Sequence, residues 1–148
     1  MNKVKGFTLI ELVVVIAVLA ILSATVLAGT GQSYRRDIEQ AAHLFAADVR
    51  YAQQMAIQTG SSVRVWLDHD SYRVLSYSIV DLDLLNGSRA LYNGEFGAVG
   101  NGFIHFTPRG TTSTPMTVTI RNDRYLIELT LTLGAGRILV HTPVALIQ

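Results

Sequence analysis

The pattern of apolar and polar positions changes period twice along the chain. From Phe7 to Ala28 almost every position is apolar, and residues 12 to 34 carry no Asp, Glu, Lys or Arg. A run of that length predicts a helix able to cross a bilayer, which takes about 20 apolar residues. Beyond it, Ile38, Ala42, Phe45, Val49, Ala52 and Ala56 recur at steps of four and three. That spacing puts one apolar stripe on an amphipathic helix. Arg36, Glu39, Gln40, His43, Asp48, Arg50, Gln53 and Gln54 are expected on its other faces. Gly29-Thr30-Gly31 is a weak point between the two halves, since a glycine costs about 1 kcal/mol in a helix interior. The helix is predicted to end near Thr59-Gly60, where glycine can take a left-handed cap.

After Gly60 the period becomes two. Ser62 to Leu67 alternates as a strand, Asp68-His69-Asp70-Ser71 turns the chain, and Tyr72 to Ile79 is its hairpin partner. Residues 81 to 102 hold five glycines and predict a long loop with at most one short strand. Further strands are expected at Gly102 to Phe106, Met116 to Arg121 and Tyr125 to Leu133, with Arg137 to His141 as the last. A long helix followed by an antiparallel meander gives an α+β architecture, with the helix packed on a sheet.

One carboxylate interrupts the apolar run near its start. Glu11 is its sole charge, and a charged side chain deep in hydrocarbon costs roughly 2.5 to 3.5 kcal/mol. A cleaved secretory signal is one reading of this region, with Ser23-Ala24-Thr25 resembling a cleavage site. Its apolar part would however be about 7 to 15 residues long. An ordinary single-pass anchor, with Glu11 at headgroup level, is another. The residues Lys5-Gly6-Phe7-Thr8-Leu9-Ile10-Glu11-Leu12 resemble the class III leader of type IV pilins and pseudopilins. The resemblance implies cleavage between Gly6 and Phe7 by a prepilin peptidase, which also methylates the new amino terminus of Phe7. It implies that Glu11 pairs with the amino terminus of a neighbouring subunit. It further implies an inner-membrane assembly platform and other pilins or pseudopilins as partners, and contact with membrane lipid. The chain then divides into a leader (1–6), a transmembrane or filament-core helix (7–29), an amphipathic extension (30–60) and a β-rich head (61–148).

Composition narrows the head's role. The 148 residues carry a formal net charge of +1, and charged residues make up 16%. Lys3 and Lys5 are the only lysines, so the chain after Gly6 has ten Arg against eleven acids. That near-neutral balance, with no block of like charge, argues against a strong electrostatic grip on nucleic acid. Lys3 and Lys5 favour a cytoplasmic amino terminus, although Arg35 and Arg36 at the far end weaken the bias. The leader resemblance agrees with that orientation and implies a head outside the cytoplasm. No Cys is present, so disulfide and thiol chemistry are excluded.

Within the head, Ala52-Gln53-Gln54-Met55-Ala56-Ile57, followed by Gly60 and Val63, resembles the helix end of H-type (GspH/FimT-like) minor pseudopilins. That group has Arg and Ser where this chain has Gln53 and Gln54, so the match is partial. Phe106-Thr107-Pro108-Arg109-Gly110 and Gly136-Arg137-Ile138 resemble two further elements of the same group.

Catalytic and metal chemistry find no support. His43, His69, His105 and His141 show no paired spacing, and no Cys completes a metal site. Asp68, His69 and Asp70 fit turn chemistry. Asp81 and Asp83 offer too few oxygens at set spacing for calcium. The expectation is a structural subunit of a type II secretion pseudopilus or a type IV pilus, with no enzyme activity, cofactor or metal. The alternative is a DNA-binding minor pilin for natural transformation, in which Arg121, Arg124 and Arg137 would contact the nucleic acid. Their small excess over nearby acids makes a solvated strand face the stronger reading.

Overall fold

The computed structural model describes residues 9–77, 81–85, 87–97, 102–112 and 114–146, with the side chains of 24–32, 81 and 82 outside that description. One helix, α1, runs Leu9–Thr59 without interruption at Gly29-Thr30-Gly31. The chain divides into two compact units, Met1–Ser33 and Tyr34–Gln148.

In the first unit, eleven large apolar side chains between Leu9 and Leu22 are exposed. They point in every direction around the helix axis. A helix apolar all round is stable only when something apolar surrounds it. Among the described residues no helix is long and apolar enough to cross a membrane. The expected span Phe7 to Ala28 lies partly outside them, because the described side chains stop at Ser23 and resume at Ser33.

The second unit holds the core. Ile38, Ala42, Phe45, Val49, Ala52 and Ala56 are all buried, joined by Ala41 and Ala46. Small residues alternate with Ile38, Phe45 and Val49 along this stripe, so the sheets approach the helix closely. Gly60, at φ +63°, turns the chain out of α1. Among the described residues ten strands follow: β1 Ser62–Leu67, β2 Ser71–Tyr77, β3 Asp81–Asp83, β4 Arg89–Ala90, β5 Glu95–Phe96, β6 Phe103–Phe106, β7 Met116–Arg121, β8 Tyr125–Leu131, β9 Ile138–Val140 and β10 Val144–Ala145. All pairings are antiparallel.

The strands make two sheets rather than one meander. The first has the order β3-β2-β1-β6, with β4 also on β2; the second has the order β10-β8-β7-β5, with β9 also on β8. Thr112 bridges Phe106 of one sheet to Gly134 beside the other. The expected hairpins β1–β2 and β7–β8 form, and the expected end of β2 at Ile79 lies outside the described residues. Two details differ. Among the described residues, 81 to 102 contribute three short strands, each held by a longer neighbour. The strand Arg137 to His141 is shorter than expected and is not the last, because β10 pairs with the start of β8.

Alternation explains which face of each strand is buried. Val63 and Val65, Val74, Ile104 and Phe106 face inward from the first sheet; Val118, Ile120, Ile127, Leu129 and Leu131 do so from the second. Together with α1 residues 38 to 56 they make one core.

Candidate functional site

Glu11 sits in the first turn of α1 and is exposed. Its neighbours Leu9, Ile10, Leu12 and Val13 are 81%, 71%, 62% and 48% exposed. Exposed apolar patches larger than a few hundred Å² mark interaction surfaces in soluble proteins, and this one holds a single carboxylate. Gly6 and Phe7, the residues expected at the cleavage site, lie outside the described residues.

The three head motifs meet at one place. Gln53, on the last turns of α1, donates from Nε2 to the carbonyl oxygens of Gly110 and Ala135, both at 2.7 Å. Those carbonyls belong to the loops after β6 and before β9. Gly136 has φ +61°, and a Cβ there would lie 2.8 Å from Gln53 Nε2, 3.0 Å from Phe106 Cε1 and 3.2 Å from the Gly110 oxygen. Glycine is therefore required on two counts, backbone conformation and space. The junction fastens two loops to the helix end and is structural. A left-handed non-glycine residue costs about 1 to 2 kcal/mol, and here a clash adds to it. We expect Gly136→Ala to lower unfolding free energy by about 2 kcal/mol or more, read by denaturant unfolding of the detergent-solubilised full chain.

A second polar contact on the helix is absent from the sequence reading. Asp48, expected on a polar face, is 8% exposed. Its Oδ2 accepts from the Tyr72 hydroxyl at 2.6 Å and from Arg89 Nη1 at 2.6 Å. Burial, reinforced by the Asp48 hydrogen bond and charge, raises the Tyr72 hydroxyl well above the usual tyrosine range. The carboxylate is paired as buried charges require, and it ties β2 and β4 to α1. The signal was present: 48 follows 45 by three and precedes 52 by four, so it falls within the apolar stripe.

The three arginines expected to contact nucleic acid do not share a patch. Arg121 ends β7 and pairs with Glu95 through Nε and Nη2, both 2.6 Å from Oε1. His69 approaches the other oxygen of Glu95 at 2.8 Å. Arg124 lies in the β7–β8 turn, with its guanidinium carbon 4.9 Å from the Tyr34 ring centroid. Arg137 precedes β9, whose Ile138 pairs with Leu131 at the far end of β8. The length of β8, roughly 20 Å at 3.3 Å per residue, separates Arg137 from the other two.

The histidines are dispersed. His43 and His69 are exposed, and His141 Nε2 lies 3.0 Å from Thr130 Oγ1. Among the described residues no three His, Asp or Glu side chains group as a metal site needs.

Two families match the sequence. The prokaryotic N-terminal methylation motif covers residues 1–27, and the type II transport protein GspH covers residues 41–136. No curated protein matches the chain. Among solved structures, the fold is shared with the type IV minor pilin FimU of Pseudomonas aeruginosa, at 17% identity and TM-score 0.58, over 72% of this chain and 90% of that one. It is shared also with the minor pseudopilin EpsH from the Type 2 Secretion System of Vibrio cholerae, at 15% identity and TM-score 0.57, over 72% of this chain and 97% of that one. At those identities the likeness is one of fold: a helix packed on antiparallel sheet. The leader-type motif and a family match over most of the head thus fall on one chain, which belongs to the GspH family of type II transport proteins and carries a prepilin-type amino terminus.

Proposed function

We propose that the protein is a minor pseudopilin, a structural subunit drawn from the inner membrane into a short helical filament through the first half of α1. The observation that carries this reading is the helix apolar on all sides from Leu9 to Leu22, with Glu11 as its one charge. Prepilin peptidase would cut between Gly6 and Phe7 and methylate Phe7. The chain would first sit in the membrane with its amino terminus cytoplasmic and its head outside. The assembly platform would then move the helix from lipid into a bundle of equivalent helices. Because lipid and neighbouring helices are equally apolar, little hydrophobic gain distinguishes them. Packing and the pairing of Glu11 with a neighbour's amino terminus would supply the difference. The machine would be a type II secretion pseudopilus, in line with the type II transport family match, or a type IV pilus.

The test is to shear filaments from cells expressing the whole machine and to probe them for this chain. Its presence in the sheared fraction is expected. Confinement to the membrane fraction, with filaments present, would contradict the proposal.

The alternative, DNA capture by the head, makes a separate prediction. Arg121 is engaged by Glu95, Arg124 lies over Tyr34, and Arg137 stands at the other end of β8. Exchanging all three for Ala is expected to leave DNA retention unchanged within twofold, because phosphate contacts spread this far apart do not act as one patch. A loss of tenfold or more would restore the DNA-binding reading.

A further inference from the structure

The outward face of the first sheet carries a site that the assembly helix does not explain. Arg64 on β1 stands directly opposite His105 on β6 and Leu75 on β2. Its guanidinium carbon lies 4.4 Å from the Tyr77 ring centroid and 5.3 Å from that of Phe103. Phe103 in turn leans on Trp66, with centroids 5.0 Å apart. The rings hold the guanidinium in place. Its Nε is sealed from solvent and has no hydrogen-bond partner. Among the described residues Arg35, Arg89 and Arg121 pair with carboxylates, and Arg64 does not.

Arg64 and His105 line a pocket of about 270 Å³ together with Thr112, Thr114 and Met116. We propose that this pocket binds a carboxylate, gripped by the outer edge of the ring-clamped Arg64 guanidinium beside His105. A planar fork of N–H donors matches a carboxylate in two parallel hydrogen bonds. Burial, and then the positive Arg64 alongside, push the His105 imidazole below the usual histidine range. The site's fixed positive charge is therefore that of Arg64. A carboxylate supplies one negative charge, whereas a phosphate monoester brings about −1.5 to −2. Two sources offer this chemistry, a free small carboxylate and an acidic side chain of another protein subunit.

The test follows isotope-labelled full-length protein in detergent micelles by NMR. His105, Trp66 and the Thr112 amide are monitored during titration with sodium acetate, with the blocked peptide acetyl-Ala-Glu-Ala-amide, and with sodium phosphate and sodium chloride at matched ionic strength. Saturable shifts at these three residues with acetate and with the peptide, but not with chloride or phosphate, are expected. Peptide binding at least tenfold tighter than acetate assigns the site to a protein partner; equal binding assigns it to free carboxylates. Arg64→Lys keeps the charge but loses the planar fork, and is expected to weaken either ligand at least tenfold. Unsaturable shifts, or equal shifts with chloride or phosphate, would overturn the proposal on the wild-type protein alone, whatever the stability of the variant.

Discussion

Glu11→Ala is expected to deplete the chain from sheared filaments at least tenfold while leaving its level in the membrane unchanged. The two halves of that result discriminate. Glu11 is the only charged residue between Leu9 and Tyr34. Removing a charge from an apolar helix favours insertion into lipid, by roughly 2.5 to 3.5 kcal/mol at the bilayer centre. An ordinary anchor would thus lose nothing. A subunit that uses Glu11 to neutralise a neighbour's amino terminus would leave that terminus unpaired in an apolar bundle. Removing one member of a buried charge pair costs about 3 to 5 kcal/mol, and each 1.4 kcal/mol is about tenfold in an equilibrium. Glu11→Gln keeps the size and loses the charge, so it is expected to behave like Ala. Normal incorporation of both variants would remove the pairing from the account.

Phe45→Ala is expected to lower the head's unfolding free energy by about 3 to 5 kcal/mol. Phe45 is fully buried. Its ring meets the edges of Tyr72 and Phe96 at centroid distances of 4.9 and 5.1 Å, with interplanar angles of 76° and 67°. These three rings join α1 to β2 of the first sheet and β5 of the second. Truncation removes both aromatic contacts and leaves a cavity where helix and both sheets converge. The surrounding alanines, Ala41, Ala42 and Ala46, are too short to fill it. Denaturant unfolding of the full chain in detergent is the check. A loss below about 1 kcal/mol would mean that the core closes over the gap, contrary to this packing.

Much of the fold was legible because the signals were periodic. The stripe from Ile38 to Ala56 reports one helix face, and alternation along Ser62–Leu67, Met116–Arg121 and Tyr125–Leu131 reports hairpin strands. The illegible parts lack a period. β3, β4, β5 and β10 are two or three residues long, too short for alternation, and exist because β2, β7 and β8 offer edges to pair with. The split into two sheets rests on β6 joining β1 and β5 joining β7, which are long-range pairings that no local pattern encodes. Asp48 was assigned to a solvated face by its chemistry, although its spacing placed it within the stripe. Its partner Arg89 came from a glycine-bearing loop whose course the sequence did not define.

The site was legible in a different way. Glu11 stood out as one carboxylate in an uncharged run. Gly110 and Gly136 were marked by resemblance and Gln53 as a departure from it; the structure bonds Gln53 to the Gly110 and Ala135 carbonyls and packs Gly136 against it. The Arg64 clamp was hidden because Tyr77, Phe103 and His105 lie far along the chain from it. Only strand register places them together.

The central claim is that this chain enters a pilin-type pathway through its amino terminus. Intact mass of the membrane-extracted protein, with and without a co-expressed prepilin peptidase, tests it most directly. With the peptidase present, the account predicts loss of Met1 to Gly6 and one added methyl group on Phe7. A full-length mass under those conditions would contradict it and leave an anchored β-rich head. Cleavage near residues 22 to 28 would contradict it too, by freeing the head from the helix that is meant to assemble it.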